Sequence, residues 1–216
     1  MSDPVHPAET PAEKTAEKPA SKLELRRQVQ LEALLTAAEA RVRRDGVASL
    51  KARDLAADIG VALGGLYNIV ADMDDLMLRV NSRTLARLGT AAAEAADGLP
   101  MTTRAEALNR LATVARTYLG FARIDPRLWR MLFETHVASA LPAWANEDQL
   151  RLFRHIAEPL SVIMPDLPPD ALTVRARTLF AAVHGVVTLG LEERLVAVPL
   201  DRLESEIDWL TRAACG

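Results

Sequence analysis

Cysteine, aromatic residues and long apolar runs are all scarce in this sequence of 216 residues. A single cysteine, Cys215, excludes a disulfide framework. No apolar run approaches the roughly 20 residues that span a bilayer, and the N-terminus lacks the pattern of a signal peptide. These absences predict a cytoplasmic protein with no membrane partner, and the chain is long enough to bury a core without disulfides.

Recognisable catalytic and metal-binding motifs are missing as well. The sequence has no HExxH motif, no Glu-x-x-His pair and no cysteine cluster, so its four histidines lack the spacing of a metal site. It has no G-x-S-x-G elbow, no phosphate-binding loop and no dinucleotide fingerprint. We therefore expect a protein that is not an enzyme and that carries no metal and no other cofactor.

Apolar side chains recur at helical spacing throughout, and no segment alternates with the period of a strand. The pattern predicts an all-α fold of about nine helices. Residues 1–21 are rich in proline, alanine and charged residues, which predicts a disordered tail. We expect an N-terminal domain of three helices and its connection over residues 22–84, and a helical C-terminal domain over residues 85–216.

Two short predicted helices, over 50–58 and 62–70, are joined by a tight turn at Gly60. Such a pair is typical of a helix-turn-helix whose second helix enters the major groove of DNA. An ordinary pair of packed helices would give the same spacing. The net charge of −3 decides nothing, because DNA binding needs only a local basic face.

The N-terminal sequence resembles the TetR-type bacterial transcriptional regulators. Their pattern has a glycine after the first helix and then Gly-Val-Ser-Lys-Gly-Thr-Leu-Tyr-x-His-Phe. In this sequence the matching positions are Gly46 and the run Gly60-Val61-Ala62-Leu63-Gly64-Gly65-Leu66-Tyr67-Asn68-Ile69-Val70. The sequence departs from the pattern at Ala62-Leu63, at Ile69-Val70 and at Met73, where the family carries Ser-Lys, His-Phe and Lys. Two positive charges and one hydroxyl group that commonly face phosphates in the family are therefore absent.

The resemblance implies that the recognition helix and the start of the preceding helix bind double-stranded DNA. Tyr67 would give its hydroxyl to a phosphate, Asn68 would pair with adenine or a phosphate, and the two glycines would let the backbone approach closely. The predicted DNA-binding residues are Lys51, Arg53, Ala62, Leu63, Gly64, Gly65, Tyr67 and Asn68.

For the C-terminal domain, the resemblance implies a pocket for a small-molecule effector and a dimer interface. Each candidate residue has an alternative role in ordinary core packing. The predicted ligand-binding residues are Tyr118, Trp129, Phe133, His136, Phe180 and His184. The predicted dimer residues are Leu179, Val183, Val187, Leu191, Leu203, Ile207 and Leu210.

The function expected from the sequence is that of a homodimeric transcriptional repressor that binds a palindromic operator and responds to a small molecule. The departures in the recognition helix support an alternative. In that alternative, the chain is a helical small-molecule-binding protein of the same fold with weakened or lost DNA binding.

Overall fold

The computed structural model describes residues 21–135, 141–192 and 196–215. Those residues form nine α-helices and one short 3₁₀ turn (Val47–Ser49), with no strand in the described ranges. The predicted all-α class and helix number are confirmed. The helices are α1 (Lys22–Asp45), α2 (Ala52–Asp58), α3 (Leu63–Leu66), α4 (Met73–Ala95), α5 (Arg104–Ile124), α6 (Pro126–Glu134), α7 (Ala143–Ile163), α8 (Pro169–Leu191) and α9 (Leu203–Ala213).

Side-chain caps fix the starts of three long helices. Ser21 and Thr103 each form a capping box with the glutamate three residues later, at the starts of α1 and α5. Asp72 accepts a hydrogen bond from the Asp75 amide at 2.7 Å and so caps the start of α4. Pro126 occupies the first position of α6, where its missing amide proton costs nothing.

The two helices of the helix-turn-helix are shorter than the sequence predicts. The predicted first helix starts at Leu50, but α2 starts at Ala52 because Val47–Ser49 form a 3₁₀ turn. The predicted second helix covers 62–70, but α3 is a single turn, followed by a turn over residues 67–69 and a bend over residues 70–72. Neither helix has a side-chain cap, since Lys51 and Ala62 occupy the N-cap positions.

The chain has two apolar cores, and α6 contributes to both. The N-terminal core contains buried side chains of α1 to α4, and also Leu128 and Met131 of α6. The C-terminal core joins α5, α7, α8 and α9, and it includes Trp129 of α6. Adjacent residues on α6 therefore belong to different cores. The expected boundary between residues 84 and 85 also falls inside the continuous helix α4, so the two regions share two helices.

Helix α8 is, among the described residues, the one helix long and apolar enough to cross a membrane by length and composition. Its inner face is buried against α5, α7 and α9, and contains Ala176, Leu179, Val183 and Val187. Burial of this face accounts for part of the apolar composition of α8.

Candidate DNA-binding surface and ligand cavity

The helix-turn-helix divides its side chains between the core and the solvent. Gly60 turns the chain after α2 with a φ of 69°, and the Val61 amide donates to the Ala56 carbonyl at 2.9 Å. Such a positive φ favours glycine. Within the recognition segment, residues 62–70, Leu66, Ile69 and Val70 are buried. The other faces of the segment are therefore free to contact a partner.

All the predicted DNA-binding residues lie on the solvent side of this motif. Leu63 is 42% exposed and Tyr67 is 46% exposed, which is unusual for large apolar and aromatic side chains. Gly65 alone is half-buried, and a Cβ atom there would lie 3.3 Å from the Cβ of Val61. The exposed members of the set are Lys51, Arg53, Ala62, Leu63, Gly64, Tyr67 and Asn68.

The charge on this surface is set by which carboxylates are paired. Arg41 of α1 contacts both acidic side chains of α2, and its Nη2 donates to Asp58 at 2.9 Å. This hydrogen bonding lowers the pKa of the Asp58 carboxyl. In the part of the chain that the structure describes, no ion pair engages Lys51 or Arg53. Their two charges are therefore available to phosphates.

A cluster of aromatic rings fills the centre of the C-terminal region. Tyr118 of α5 packs edge-on against Trp129 and Phe180, with ring centroids 6.0 and 5.6 Å apart. The Tyr118 hydroxyl and His184 Nδ1 are 2.8 Å apart, and the ring of Phe133 lies 4.1 Å from that of His184. Burial lowers the pKa of His184 and raises that of Tyr118, so both side chains are neutral at pH 7.

A cavity of about 300 Å³ lies beside this aromatic cluster, between α4, α5, α6, α7, α8 and α9. Three predicted ligand residues line it, namely Tyr118, Phe133 and Phe180. Trp129 and His184 do not line it; they support the lining rings from behind. His136 lies outside the described residues.

Sequence reasoning missed the polar residues of the cavity. Asn81 and Ser82 of α4 and Asp148 and Gln149 of α7 line it together with apolar side chains. Asn81 follows Val80 on the buried side of α4, which is apolar apart from Asn81 and Thr84, and only 8% of the surface of Asn81 is exposed. A polar residue next to the apolar stripe of an amphipathic helix was the available signal.

The prediction of the dimer surface needs correction. Leu179, Val183, Val187, Leu203 and Ile207 are at most 5% exposed and form part of the core of a single protomer. Their side chains are therefore unavailable to a second copy. Leu191 and Leu210 are half-buried. Exposed apolar residues of α8 and α9 lie elsewhere, notably Val174, Leu189 and Trp209.

No group of three or more histidine, cysteine, aspartate or glutamate side chains in the described ranges is arranged to hold a metal ion.

Comparisons with known proteins connect both regions to one fold. Residues 111–214 match the family model described as the tetracyclin repressor-like C-terminal domain. No curated protein matches the sequence.

Three solved structures illustrate the likeness over nearly the whole chain. A protein of unknown function from Rhodococcus sp. RHA1 has a TM-score of 0.69 and 23% identity, covering 87% of this chain and 96% of its own. RolR in complex with its ligand resorcinol has a TM-score of 0.63 and 16% identity, covering 88% and 89%. A TetR transcriptional regulator from Rhodococcus sp. RHA1 has a TM-score of 0.59 and 18% identity, covering 89% and 97%. At these identities the likeness establishes a shared fold.

Proposed function

We propose that this chain, a TetR-type transcriptional regulator by its C-terminal domain and its fold, represses transcription in the cytoplasm as a homodimer. The dimer binds a palindromic operator, and a small apolar molecule in the cavity releases it. One observation supports DNA binding most directly. The recognition segment buries three apolar side chains and leaves Leu63, Gly64, Tyr67 and Asn68 exposed.

The exposed residues supply the contacts that DNA recognition requires. The Tyr67 hydroxyl, Lys51 and Arg53 would bind phosphates and set the position of the protein on the duplex. Asn68 can form paired hydrogen bonds with adenine, and Leu63 can contact a thymine methyl group. Because Gly64 has nothing within 4 Å of its Cβ position, the groove can approach the backbone closely there.

A dimer would use the outward side of α8 and α9 in place of the buried residues predicted from the sequence. Ala181, Gly185 and Leu189 recur at every fourth position on α8, so they lie on one side of the helix. They border a shallow groove that residues 196–198 complete. Small residues on a helix allow a second helix to approach closely, and a two-fold axis would then place two recognition segments about 34–36 Å apart.

Helices α4 and α6 provide a route by which a ligand could affect DNA binding. Phe133 of α6 lines the cavity, whereas Leu128 and Met131 of the same helix are buried in the N-terminal core. On α4, Asn81 and Ser82 line the cavity, whereas Arg87 donates to both oxygens of Glu39 on α1 at 3.0 Å. A ligand that shifts either helix would reorient the helix-turn-helix.

Such coupling is a shift of population between two conformations of the dimer. It obeys reciprocity, so operator DNA must weaken ligand binding by the same factor by which ligand weakens operator binding. Structures of related fold include one described as binding resorcinol and one described as a multidrug binding protein complexed with imidazole. These descriptions support a small ligand in this fold.

The test is binding of the purified protein to DNA from around its own gene, measured by fluorescence anisotropy at two salt concentrations with competitor DNA present. We expect salt-sensitive binding at a palindrome by two protomers. Tyr67→Phe should weaken binding similarly on all sequences, and Asn68→Ala should also relax the preference at one base pair. Ser161→Ala is the control, because it also removes one exposed hydroxyl, at a position of α7 outside both the recognition segment and the cavity lining.

Two results would contradict the proposal in different ways. Unchanged operator binding by Tyr67→Phe would show that the recognition segment is misplaced. Binding no tighter than to competitor DNA would favour a ligand-binding protein without an operator. That second function is favoured by Ala62, Leu63 and Met73, which replace residues that commonly face phosphates in the family, and by the uncapped start of α3.

A further inference from the structure

The polar lining residues of the cavity lie largely where α4 meets α7. Asn81 and Ser82 come from α4, and Asp148 and Gln149 come from α7. The Ser82 hydroxyl donates a hydrogen bond to the Asp148 carboxylate, which ties the two helices together at this point. The hydrogen-bonding groups of the cavity are therefore concentrated at one end.

Asn81 presents an unused hydrogen-bond acceptor at this end. The Thr135 hydroxyl donates to the Met131 carbonyl at 2.8 Å, so its oxygen accepts from Asn81 Nδ2 at 3.2 Å. That bond fixes the orientation of the amide. The Asn81 Oδ1 atom is then left without a partner among the residues that the structure describes, although the side chain is more than nine-tenths buried. Buried acceptors are rarely left unpaired, so a bound donor would satisfy this one.

Asp148 gives the same end a negative charge. It is the one charged residue that lines the cavity within the described ranges. The nearest cation is Arg151, whose Nη2 is 3.7 Å from Asp148 Oδ1 and whose side chain is 63% exposed. Because no lysine or arginine lines the described cavity, the field at this end favours hydrogen-bond donors and cations and disfavours carboxylates.

The polar lining groups of Thr211 and Tyr118 are already satisfied, and the walls are apolar. Thr211 donates to the Ile207 carbonyl within α9, and the Tyr118 hydroxyl pairs with His184. Phe133, Phe153 and Phe180 contribute aromatic walls. A volume of about 300 Å³ is at the small end of ligand pockets, which suits a molecule of one or two rings.

We propose that the cavity binds a small aromatic molecule whose one polar end donates hydrogen bonds to Asn81 and Asp148, and that it rejects aromatic carboxylates. This inference rests on the proposed ligand-binding role of the cavity. Phenolic hydroxyls and protonated amines both have the required donor chemistry. The two are distinguished by how strongly their binding affinity depends on the charge of Asp148, since only the amine is itself charged.

The test is isothermal titration of the full chain, without DNA, with four probes that share one ring system. The probes are 2-methylnaphthalene, 2-naphthol, 2-naphthylmethylamine and 2-naphthoate. We expect at least one donor probe to bind ten-fold or more tightly than methylnaphthalene, and naphthoate to bind most weakly. This comparison of probes uses the unaltered protein, so it does not depend on any variant folding.

Two variants then assign the contacts. Asn81→Leu should narrow the gap in affinity between the donor probes and methylnaphthalene without closing it, because the Asp148 carboxylate still accepts a hydrogen bond. Asp148→Asn should weaken the amine at least ten-fold and strengthen naphthoate, while naphthol changes less. Thr117→Val is the matched control, because it removes a hydroxyl that is bonded within its own helix and lies outside the cavity lining, and it should leave the ranking of the probes unchanged.

The possible failures are distinguishable. Equal affinity for methylnaphthalene and the donor probes, or a preference for naphthoate, would overturn this inference and leave a ligand-binding cavity in place. No binding of any probe would overturn the ligand-binding role as well. Neither result bears on operator binding, which is measured separately.

Discussion

The two regions of this molecule arrange their candidate functional residues in opposite ways. In the N-terminal region, Tyr67 and Asn68 point outward from the core that Leu66 and Ile69 help to form. In the C-terminal region, Tyr118 and Phe180 point inward, and they line a cavity while packing against each other. An outward residue can be changed with little effect on stability, whereas an inward one affects packing and binding together.

Helix α6 limits how independent the two regions can be. Leu128 is fully buried in the N-terminal core although it lies after α5 in the chain, and its neighbour Trp129 is 2% exposed in the C-terminal core. A substitution on one face of this nine-residue helix should therefore change the packing of a region distant in sequence.

The largest effect should come from Leu128→Ala. Loss of a fully buried leucine costs about 2–5 kcal/mol of unfolding free energy, depending on how far the site collapses. Hydrogen exchange should show faster exchange in α1 to α3, since Leu128 belongs to the same apolar core as these helices and α6 packs directly against α1. Leu150→Ala is the control, because that leucine is 63% exposed and should change stability by about 0.5 kcal/mol or less. Faster exchange confined to α7 to α9 would show that α6 belongs to the C-terminal region alone.

A smaller loss of unfolding free energy is expected from Gly190→Ala, which alters the C-terminal core at a position outside α6. A Cβ atom at Gly190 would clash with the Leu203 side chain, whose Cγ would be 3.0 Å away and which is fully buried. Overpacking of this kind costs about 1–3 kcal/mol, measured by urea unfolding. Gly89→Ala places a methyl group in open space on α4 and should stabilise the protein instead. Equal melting curves for the two variants would contradict the close α8–α9 contact.

The different accuracy of sequence reasoning in the two regions has a physical origin. In the N-terminal region, the site is one continuous segment, and its exposed and buried positions follow from local helical spacing. The cavity is built from six helices, and its polar end pairs Ser82 of α4 with Asp148 of α7, more than 60 residues apart. Nothing local indicates that Ser82 and Asp148 meet.

The predicted dimer residues show a second way in which local sequence does not determine contacts. An apolar face on α8 or α9 indicates burial, but it does not indicate whether the same chain or a second copy buries it. Leu179 and Leu203 are buried within one protomer, whereas Ala181 on the outward side of α8 is exposed and Gly185 is half-buried. The helix starts differ for a simpler reason: α2 and α3 lack side-chain caps, so no residue marks their first turns.

In the N-terminal region, replacement of Gly64 should change stability and DNA binding in opposite directions. Replacement by alanine should raise the unfolding free energy by up to about 1 kcal/mol, because glycine is a poor helix former and open space surrounds its Cβ position. The same methyl group should weaken operator binding, since it faces the groove. Gly120→Ala makes the matched change inside α5, where open space also surrounds the Cβ position, and it should stabilise without affecting DNA binding. Unimpaired operator binding by Gly64→Ala would mean that DNA does not approach the backbone there.

The smallest effect should be a dependence of stability on pH that arises in the C-terminal region. Burial lowers the pKa of His184 below its ordinary value of 6.5, so the unfolded chain binds a proton more readily than the folded chain. The stabilisation from neutral His184 is complete above about pH 6.5 and is lost as the pH falls toward the lowered pKa. Burial also lowers the pKa of His155, so His155 adds to the loss of stability at low pH. The carboxyl groups with lowered pKa values, such as Asp58 and Glu106, lose their contributions only in more acidic solution.

Urea unfolding at pH 7.5 and pH 5.0 measures this loss. His184→Gln should reduce the difference between the two pH values, because glutamine does not titrate and can still accept a hydrogen bond from Tyr118. His155→Gln is the control that leaves the His184 share intact. If His184→Gln and the unaltered protein lost equal stability between these pH values, His184 would titrate as freely as an exposed histidine. The aromatic cluster would then be open to water, and the inward arrangement would no longer distinguish it from the recognition segment.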